Sequence, residues 1–329
     1  MTSLKNNFES HLKQSTFIPA LYSSFTRPFR KSLRRLDPTP PRIPLEPAKV
    51  SVVVPNYNYK HYLAARLDSI LSQTYPLYEL IILDDNSTDG SIWFIEDWLE
   101  ATQKSFPELK IRFIKNDQNS GSAIAQWQRA FREASGDFLW LAEADDLSDP
   151  YFLATAMSAF ASDDSVLLSY TESSVINARG SFLSYDFSSR IDKEKSGLFQ
   201  KSFVRSGEEL ASSIFAIRCA IPNVSAVVFR KTSGLPFADY LESAKKFSQC
   251  GDWYFYLQLL AHGKVAYNHA SLNFFRVHSA SITANSKKAK RHLSEVEEVQ
   301  AFAREHYFLS RETLSAQAAE LDRISSRLA

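Results

Sequence analysis

Cysteine is scarce in this chain: Cys219 and Cys250 are its whole complement. Two thiols so far apart make neither a metal knuckle nor a disulfide framework, and that usage suits a reducing cytoplasm. Long apolar runs are also missing. Nothing reaches the roughly 18–20 residues of a membrane-spanning helix. The N-terminus has no compact apolar core followed by a small-residue cleavage site, so no signal peptide is read. Neither sign of charge is in excess, and a net value of +1 gives no bias toward nucleic acid. No internal repeat and no low-complexity tract breaks the pattern. What remains is ordinary globular composition, 44% hydrophobic and 23% charged, over 329 residues, enough for one large domain or two smaller ones.

The charge is unevenly placed. Residues 1–49 hold nine Lys or Arg against three acids. The stretch FIPALYSSFTRPFRKSLRRL mixes aromatics with these cations, which suits a poorly ordered basic arm or peripheral contact with the inner face of an anionic membrane. DPTPPRIPLEP (37–47) follows with five prolines and reads as an extended linker or strap. Residues 1–48 are therefore expected to form an extension, and a folded domain to span 49–285.

That domain opens with a strict alternation. VSVVVP (50–55) is a buried strand and 56–75 a helix. ELIILDD (79–85) is a second strand, NSTDGS a turn and 91–105 a helix. IRFIKN (111–116) is a third strand, 119–135 a helix, and GDFLWLAEADD (136–146) a fourth strand. Strand–helix repetition implies a mostly parallel sheet with right-handed crossovers, a Rossmann-like α/β architecture flanked by helices. Ligands bind beyond the carboxyl ends of such strands. Polar clusters sit at four of those ends in succession, at 56–58, 84–85, 116–119 and 143–146. After Pro150 the rhythm loosens: helix 151–162, strand 166–176, a polar stretch 177–206 without clear assignment, helix 206–217 capped by Ser206, strand 225–231, helix 250–264 and strand 264–278. Residues 49–150 thus read as a nucleotide-binding half and 151–285 as an acceptor half. Residues 286–329 read as charged helices whose apolar stripe (Val296, Val299, Phe302) packs on the domain or on a partner, including a second copy.

Four motifs carry chemistry. At the first two strand ends, an aromatic ring such as Tyr57 can stack on a base, and Asp85 can accept hydrogen bonds from a base or ribose. Asp84 and Asp89 suit turn and capping bonds. LAEADDL (141–147) crowds Glu143, Asp145 and Asp146, with Asp149 just beyond. Such acids suit either a hard cation, Mg²⁺ or Mn²⁺, or a solvated loop. In CGDW, Asp252 opens a helix of aromatic residues, as a cap or as a base with a raised pKa. In FFRVHSAS, Arg276 and His278 alternate with Val277 and share one side of a strand.

Taken in order, VSVVVPNYN, SILSQTYPLYELIILDDNSTDGS, NSGSAIAQW, GDFLWLAEADDLSDPYFL, CGDWYFYLQLLAHG and LNFFRVHSASIT resemble the family 2 glycosyltransferases of GT-A fold, over roughly residues 49–283, and in particular the bacterial members that build surface polysaccharides. The resemblance implies donor-nucleotide contacts at Pro55, Tyr57, Asn58, Asp85 and Asn119. Asp145 and Asp146 match the acidic motif that holds ribose and the metal-diphosphate, and Asp252 the base. Arg276 and His278 match a segment that reaches the diphosphate or the metal. Glu143 stands where many relatives have Asp. The implied activity is an inverting, Mg²⁺- or Mn²⁺-dependent transfer of a sugar from a nucleotide-diphosphate sugar to a hydroxyl of a glycan or lipid-linked acceptor. A sugar-1-phosphate nucleotidyltransferase would show a Gly-rich loop after the first strand, and PNYNYKHY has no glycine. An inactive scaffold is the remaining alternative.

Overall fold

The computed structural model describes residues 46–191, 197–278 and 286–326. The basic arm and most of the proline-rich stretch expected over 1–48 lie outside the described residues, as do 279–283 of the last motif.

The alternation expected from the sequence is present. It runs β1 (Val50–Asn56), α1 (Lys60–Leu71), β2 (Glu79–Asp84), α2 (Ser91–Ser105), β3 (Lys110–Lys115), α3 (Ala123–Glu133), β4 (Phe138–Leu141) and a two-residue β5 (Leu147–Ser148). The second half continues with α4 (Phe152–Ser162), β6 (Val166–Asn177), β7 (Phe182–Ser184), α5 (Ser188–Ile191), β8 (Phe203–Ser206), α6 (Gly207–Ala211), α7 (Ile214–Ile217) and β9 (Val227–Arg230). It closes with α8 (Phe237–Ala244), α9 (Gly251–Leu260), β10 (Lys264–Val277), α10 (Ser286–His306) and α11 (Arg311–Ser325).

One sheet takes the order β3-β2-β1-β4-β9-β6-β10-β5. Strands β3, β2, β1 and β4 are parallel, β9 runs antiparallel between β4 and β6, and β6 and β10 are parallel to each other. The chain steps outward from β1 through β2 to β3, then returns to place β4 on the other side of β1. That reversal leaves a crevice above the carboxyl ends of β1 and β4, where open α/β sheets bind ligands.

Side-chain alternation divides the core in two. Val53, Ile81, Leu83, Leu139 and Leu141 face α3, α8, α9 and α10. Val50, Val52, Val54, Leu80, Ile82 and Trp140 face α1 and α4. Both faces of β1 and β2 are covered, which is why these strands read as continuous apolar runs rather than as alternation. Burying each such side chain is worth about 1.5–3 kcal/mol.

Several element ends differ from the sequence reading, each for a local reason. Helix α1 starts at Lys60 rather than near 56, because Asn58 takes a left-handed φ of 58° that ends the strand and delays the helix. Helix α3 begins only at Ala123, where the Ser122 hydroxyl accepts the Ala125 N–H. Strand β4 stops at Leu141, so the acids sit in a turn beyond it rather than in the strand. The helix expected over 206–217 is two short ones, and Ser206 gives it no side-chain cap. Helix α8 falls in a stretch left unassigned. The apolar stripe of the last helices is buried on the domain itself, with Val296 and Val299 in the larger core and Phe302 against it. No helix among the described residues is long and apolar enough to cross a membrane.

At the opposite end of the strands from the crevice, Glu79 ties three segments together. Its carboxylate accepts from the Ser51 hydroxyl at 2.7 Å and from the Ser135 N–H and hydroxyl, each at 2.7 Å, and it pairs with Lys110 at 3.2 Å. Burial alone would raise its pKa, but the bonds from Ser135, Ser51 and Lys110 outweigh it and bring it to about 2. Glu79→Ala is expected to cost about 3 kcal/mol in chemical denaturation at neutral pH, because buried donors lose their acceptor. A depressed carboxylate pKa stabilises above the unfolded value, and that gain fades as pH falls toward 2. The gap between wild type and variant should therefore narrow in acid, and a gap constant with pH would refute this role.

Candidate active site

The crevice is lined by strand ends held in register. Asn56 lies opposite Asp84, and Asp84 opposite Lys115. Asn56 donates to Asp84 at 2.6 Å and to the Ser87 hydroxyl at 3.2 Å. Asn58 donates its N–H to the Ser87 hydroxyl and accepts the Thr88 N–H at 2.8 Å. Asp84 also accepts from the Ser87 N–H and hydroxyl, and Asp89 from the N–H groups of Lys60 and Ser91, so these two aspartates are turn and capping residues. The loops after β1 and β2 are thereby laced together, with Pro55 at the end of β1 and Tyr57 standing 46% exposed above it, free of the packing that would hide its ring.

Asp85 is buried and heavily engaged. It accepts from the Asn116 amide, from Asn119 at 3.1 Å, from the Ser120 N–H at 2.9 Å and hydroxyl at 2.7 Å, and from Gln126 at 2.8 Å. A carboxylate offers about four lone-pair sites, so Asp85 anchors the loop between β3 and α3. Asn119 spends its own oxygen on the Gly121 N–H. The two residues therefore form a shaped floor beside β1.

The acidic turn follows β4. Glu143, Asp145 and Asp146 each place a carboxylate oxygen within 4.8 Å of the others. They differ in what holds them. Asp146 is 2% exposed, accepts the Arg276 N–H at 2.8 Å and also accepts from the Asn223 amide. Burial and the neighbouring Asp145 push its pKa up to about 7. Asp145 is half-buried and meets the His278 imidazole Nε2 at 3.0 Å. Glu143 donates its backbone N–H to the Ser225 hydroxyl at 3.0 Å. Burial, then the charges of Asp145, Asp146 and Asp252, push its carboxyl well above the usual range. Asp149 accepts the Tyr151 N–H just before α4, a capping role outside the cluster. Oxygen donors this close suit Mg²⁺ or Mn²⁺, and the less committed oxygens belong to Asp145 and Glu143.

Arg276 and His278 do not act as a matched pair. The Arg276 guanidinium donates to the carbonyls of Asp145, Asn177 and Ala178 and lies 4.5 Å from the Tyr62 ring centroid. It clamps the turn from below, whereas His278 reaches the Asp145 carboxylate and packs against the rings of Tyr59 and Tyr62. Asp252 sits in the first turn of α9, half-buried, its carboxylate accepting the Trp253 N–H at 2.7 Å. Burial raises its pKa to about 6, opposed by that N–H and aided by Glu295. A Cβ at Gly251 before it would sit 3.1 Å from the Ala244 carbonyl and 3.2 Å from the Ile124 side chain, so Ile124 would have to give way.

Two sets of supporting residues were not found from the sequence. Asn223 and Ser225, which form a glycosylation-like triplet, point inward. Asn223 bridges Asp146 to Asn273, which in turn reaches Ser173, and Ser225 fixes the Glu143 backbone. Arg66 is the other. It is fully buried, donates to the Ser148 hydroxyl at 2.9 Å just after the acidic turn, and lies 5.1 Å from the Trp140 ring centroid. Its Nε and Nη2 have no hydrogen-bond partner among the described residues. Burial lowers its pKa to about 10, while Asp146, Asp145 and Glu143 pull the other way. Apolar spacing on α1 gave no hint of a cation at this position.

This sheet, with nucleotide-type loops at one end and an acidic turn at the switch point, is a GT-A glycosyltransferase fold. Residues 51–202 match the family model described as Glycosyl transferase family 2. A putative teichuronic acid biosynthesis glycosyltransferase, TuaG of Bacillus subtilis, is 28% identical over 50% of this chain and 69% of its own length. Over most other curated relatives the chain spans about a third of their length or less. Two solved structures share the fold. Staphylococcus aureus TarS 1–349 with UDP-GlcNAc has a TM-score of 0.56 at 16% identity, over 85% of this chain and 71% of that one. The mannosyltransferase PcManGT of Pyrobaculum calidifontis with GDP-Man and Mn²⁺ has a TM-score of 0.55 at 17% identity, over 98% and 83%.

If Arg66 offsets the cluster's charge, its replacement makes the turn a stronger cation site. Arg66→Met should show a larger Mn²⁺-induced rise in melting temperature than the wild type, read by calorimetry with and without the ion. Equal metal-induced shifts would show that the guanidinium does not act on these acids.

Proposed function

We propose that the chain is an inverting glycosyltransferase that moves a sugar from a nucleotide-diphosphate sugar to a hydroxyl of a glycan or lipid-linked acceptor in bacterial surface-polysaccharide synthesis, working in the cytoplasm. The observation that carries this reading is the pairing of two acid sites over one crevice. A cluster suited to a cation lies at the switch point, and a separate carboxylate, Asp252, stands close enough for its charge to act on Glu143.

The nucleotide lies across the ends of β1 and β2, its base against Tyr57 and the floor built by Pro55, Asn58, Asp85 and Asn119. Asp145 and Glu143 would hold Mg²⁺ or Mn²⁺, with Asp146 fixing the turn beneath them and His278 steadying Asp145. When bound, the ion offsets the charge that develops on the departing diphosphate. Arg276 keeps Asp145 and Asp146 aligned. Asp252 takes the proton of the acceptor hydroxyl as its oxygen attacks the anomeric carbon from the face opposite the diphosphate. The new C–O bond forms as the old one breaks, and one displacement inverts the carbon. The carboxyl's position beside aromatic residues suits this role, because a base with a pKa near 6 is ionised at neutral pH yet still accepts a proton.

Thermal stabilisation by a panel of sugar nucleotides identifies the donor, since a ligand that binds the native state raises the melting temperature. With that donor, Asp252→Asn should lower transfer by about 10²–10⁴-fold while the stabilisation by donor persists. The wild-type rate should climb as pH rises through about 6, where Asp252 loses its proton, and this limb should vanish in the variant. Full activity in Asp252→Asn would remove Asp252 as the base.

A further inference from the structure

The helix that follows the sugar-transferase core carries a buried carboxylate that grips the turn before Asp252. We propose that Glu295, on α10, is a positioning residue for Asp252, holding the turn that delivers the base to the acceptor side of the crevice; this rests on the reading of Asp252 given above. Glu295 is 5% exposed. One of its oxygens accepts the Ser248 N–H at 2.8 Å and the Ser248 hydroxyl at 2.7 Å, and the other accepts the N–H groups of Gln249 at 2.8 Å and Cys250 at 3.0 Å. Arg291, one turn earlier on α10, bonds the same carboxylate at 3.0 Å.

Three consecutive backbone donors thus converge on one side chain from another element, two residues before Asp252. The start of α9 needs such help. Its N-cap is Cys250, which makes no side-chain capping bond; Glu295 takes the N–H of that residue and of the two before it, while inside the helix Asp252 takes the Trp253 N–H. A carboxylate at that end also suits the helix dipole. The neighbouring contacts point the same way. The Cys250 sulfur lies 3.7 Å from His292 Nδ1, Lys246 pairs with Glu298, and the Phe302 ring packs on Tyr254 at 4.7 Å between centroids. From the other side Gly251 is wedged against Ile124 and Ala244. The turn is pinned between α3, α8 and α10, and Asp252 has little freedom to swing. All the α10 residues lie outside residues 51–202, the stretch matched by the family model. Helix α10 acts on the base through the turn at 248–250.

The test uses the full chain with Mn²⁺ and UDP-glucose, UDP-N-acetylglucosamine or GDP-mannose, reading hydrolysis of whichever donor the wild type turns over, together with amide hydrogen exchange. Glu295→Gln, which replaces one acceptor oxygen by a donor, should lower kcat for hydrolysis by about 10²-fold while the donor KM stays within about twofold, because the strand ends of β1 to β4 are untouched. Exchange at residues 248–252 should accelerate by about tenfold or more, with β1 and β4 still protected. Glu295→Asp, which keeps the charge at shorter reach, should recover part of kcat. Glu100→Gln, in an exposed pair with Lys104 on α2, should leave both readouts as in the wild type. An unchanged kcat in Glu295→Gln, or a parallel loss of donor affinity and of protection across the sheet, would overturn the proposal. If the wild type hydrolyses none of the three donors, the functional reading fails, while the exchange pattern still decides whether Glu295 holds this turn.

Discussion

Three carboxylates within one short turn repel each other, and the surrounding fold is arranged to contain that repulsion. Glu143, Asp145 and Asp146 stand at the mouth of the sheet, where burial strengthens every charge. Each has its own restraint. Asp146 leans on the Arg276 N–H and the Asn223 amide, Asp145 on His278, and the Glu143 backbone on Ser225. Beneath them Arg66 supplies a positive charge from inside the core, against the usual rule that guanidinium groups stay wet. Holding the turn this way buries a guanidinium with, among the described residues, one hydrogen-bonded nitrogen. Such local inconsistency is where a functional site is expected in a natural fold.

This constraint explains the shape of the second half. Strands β6 and β10 extend beyond the others, to Asn177 and Val277, and their ends supply the carbonyl of Asn177 and both groups of Arg276. The short 3₁₀ turn at 224–226 brings Asn223 and Ser225 under the acids. Glu172 on β6 accepts from Tyr267 and from the N–H groups of Phe187 and Ser188, which tethers the polar loop after β7 next to the crevice. The first half thus lays out the laced loops beyond β1, β2 and β3, and the second half holds the acids in place beside them.

The strands and helices of the first half were legible in the sequence because each is locally self-consistent. β-Branched runs read as buried parallel strands, and the acids after LWLA read as a strand end. Asp145, Asp146, Asp252 and His278 stand out in the sequence because their residue types are chemically expressive. What escaped is long-range. Arg66 lies on a helix whose apolar spacing is unbroken without it, and nothing in the sequence tells that its guanidinium passes under β5. Asn223 and Ser225 spelled a surface triplet, yet their partners are 77 and 82 residues away. Arg276 was paired with His278 by strand alternation, which is correct for direction but silent on what each meets. The carbonyls that Arg276 binds belong to loops whose closeness only the sheet order reveals.

The same reasoning divides labour within the acidic turn. An oxygen already accepting a protein N–H is less available to a cation than one that is not. Asp146 has both of its oxygens engaged, one by a backbone N–H that cannot move without unzipping β10 from the turn. Asp145 has one engaged, by an imidazole able to shift its own proton. Glu143 has its backbone fixed while its carboxyl keeps the reach of an extra methylene and feels Asp252 as well as the other two acids. Asp146 is thus the anchor and Asp145 the shared group, while the longer Glu143 carries its carboxyl in toward Trp127 and Asp252.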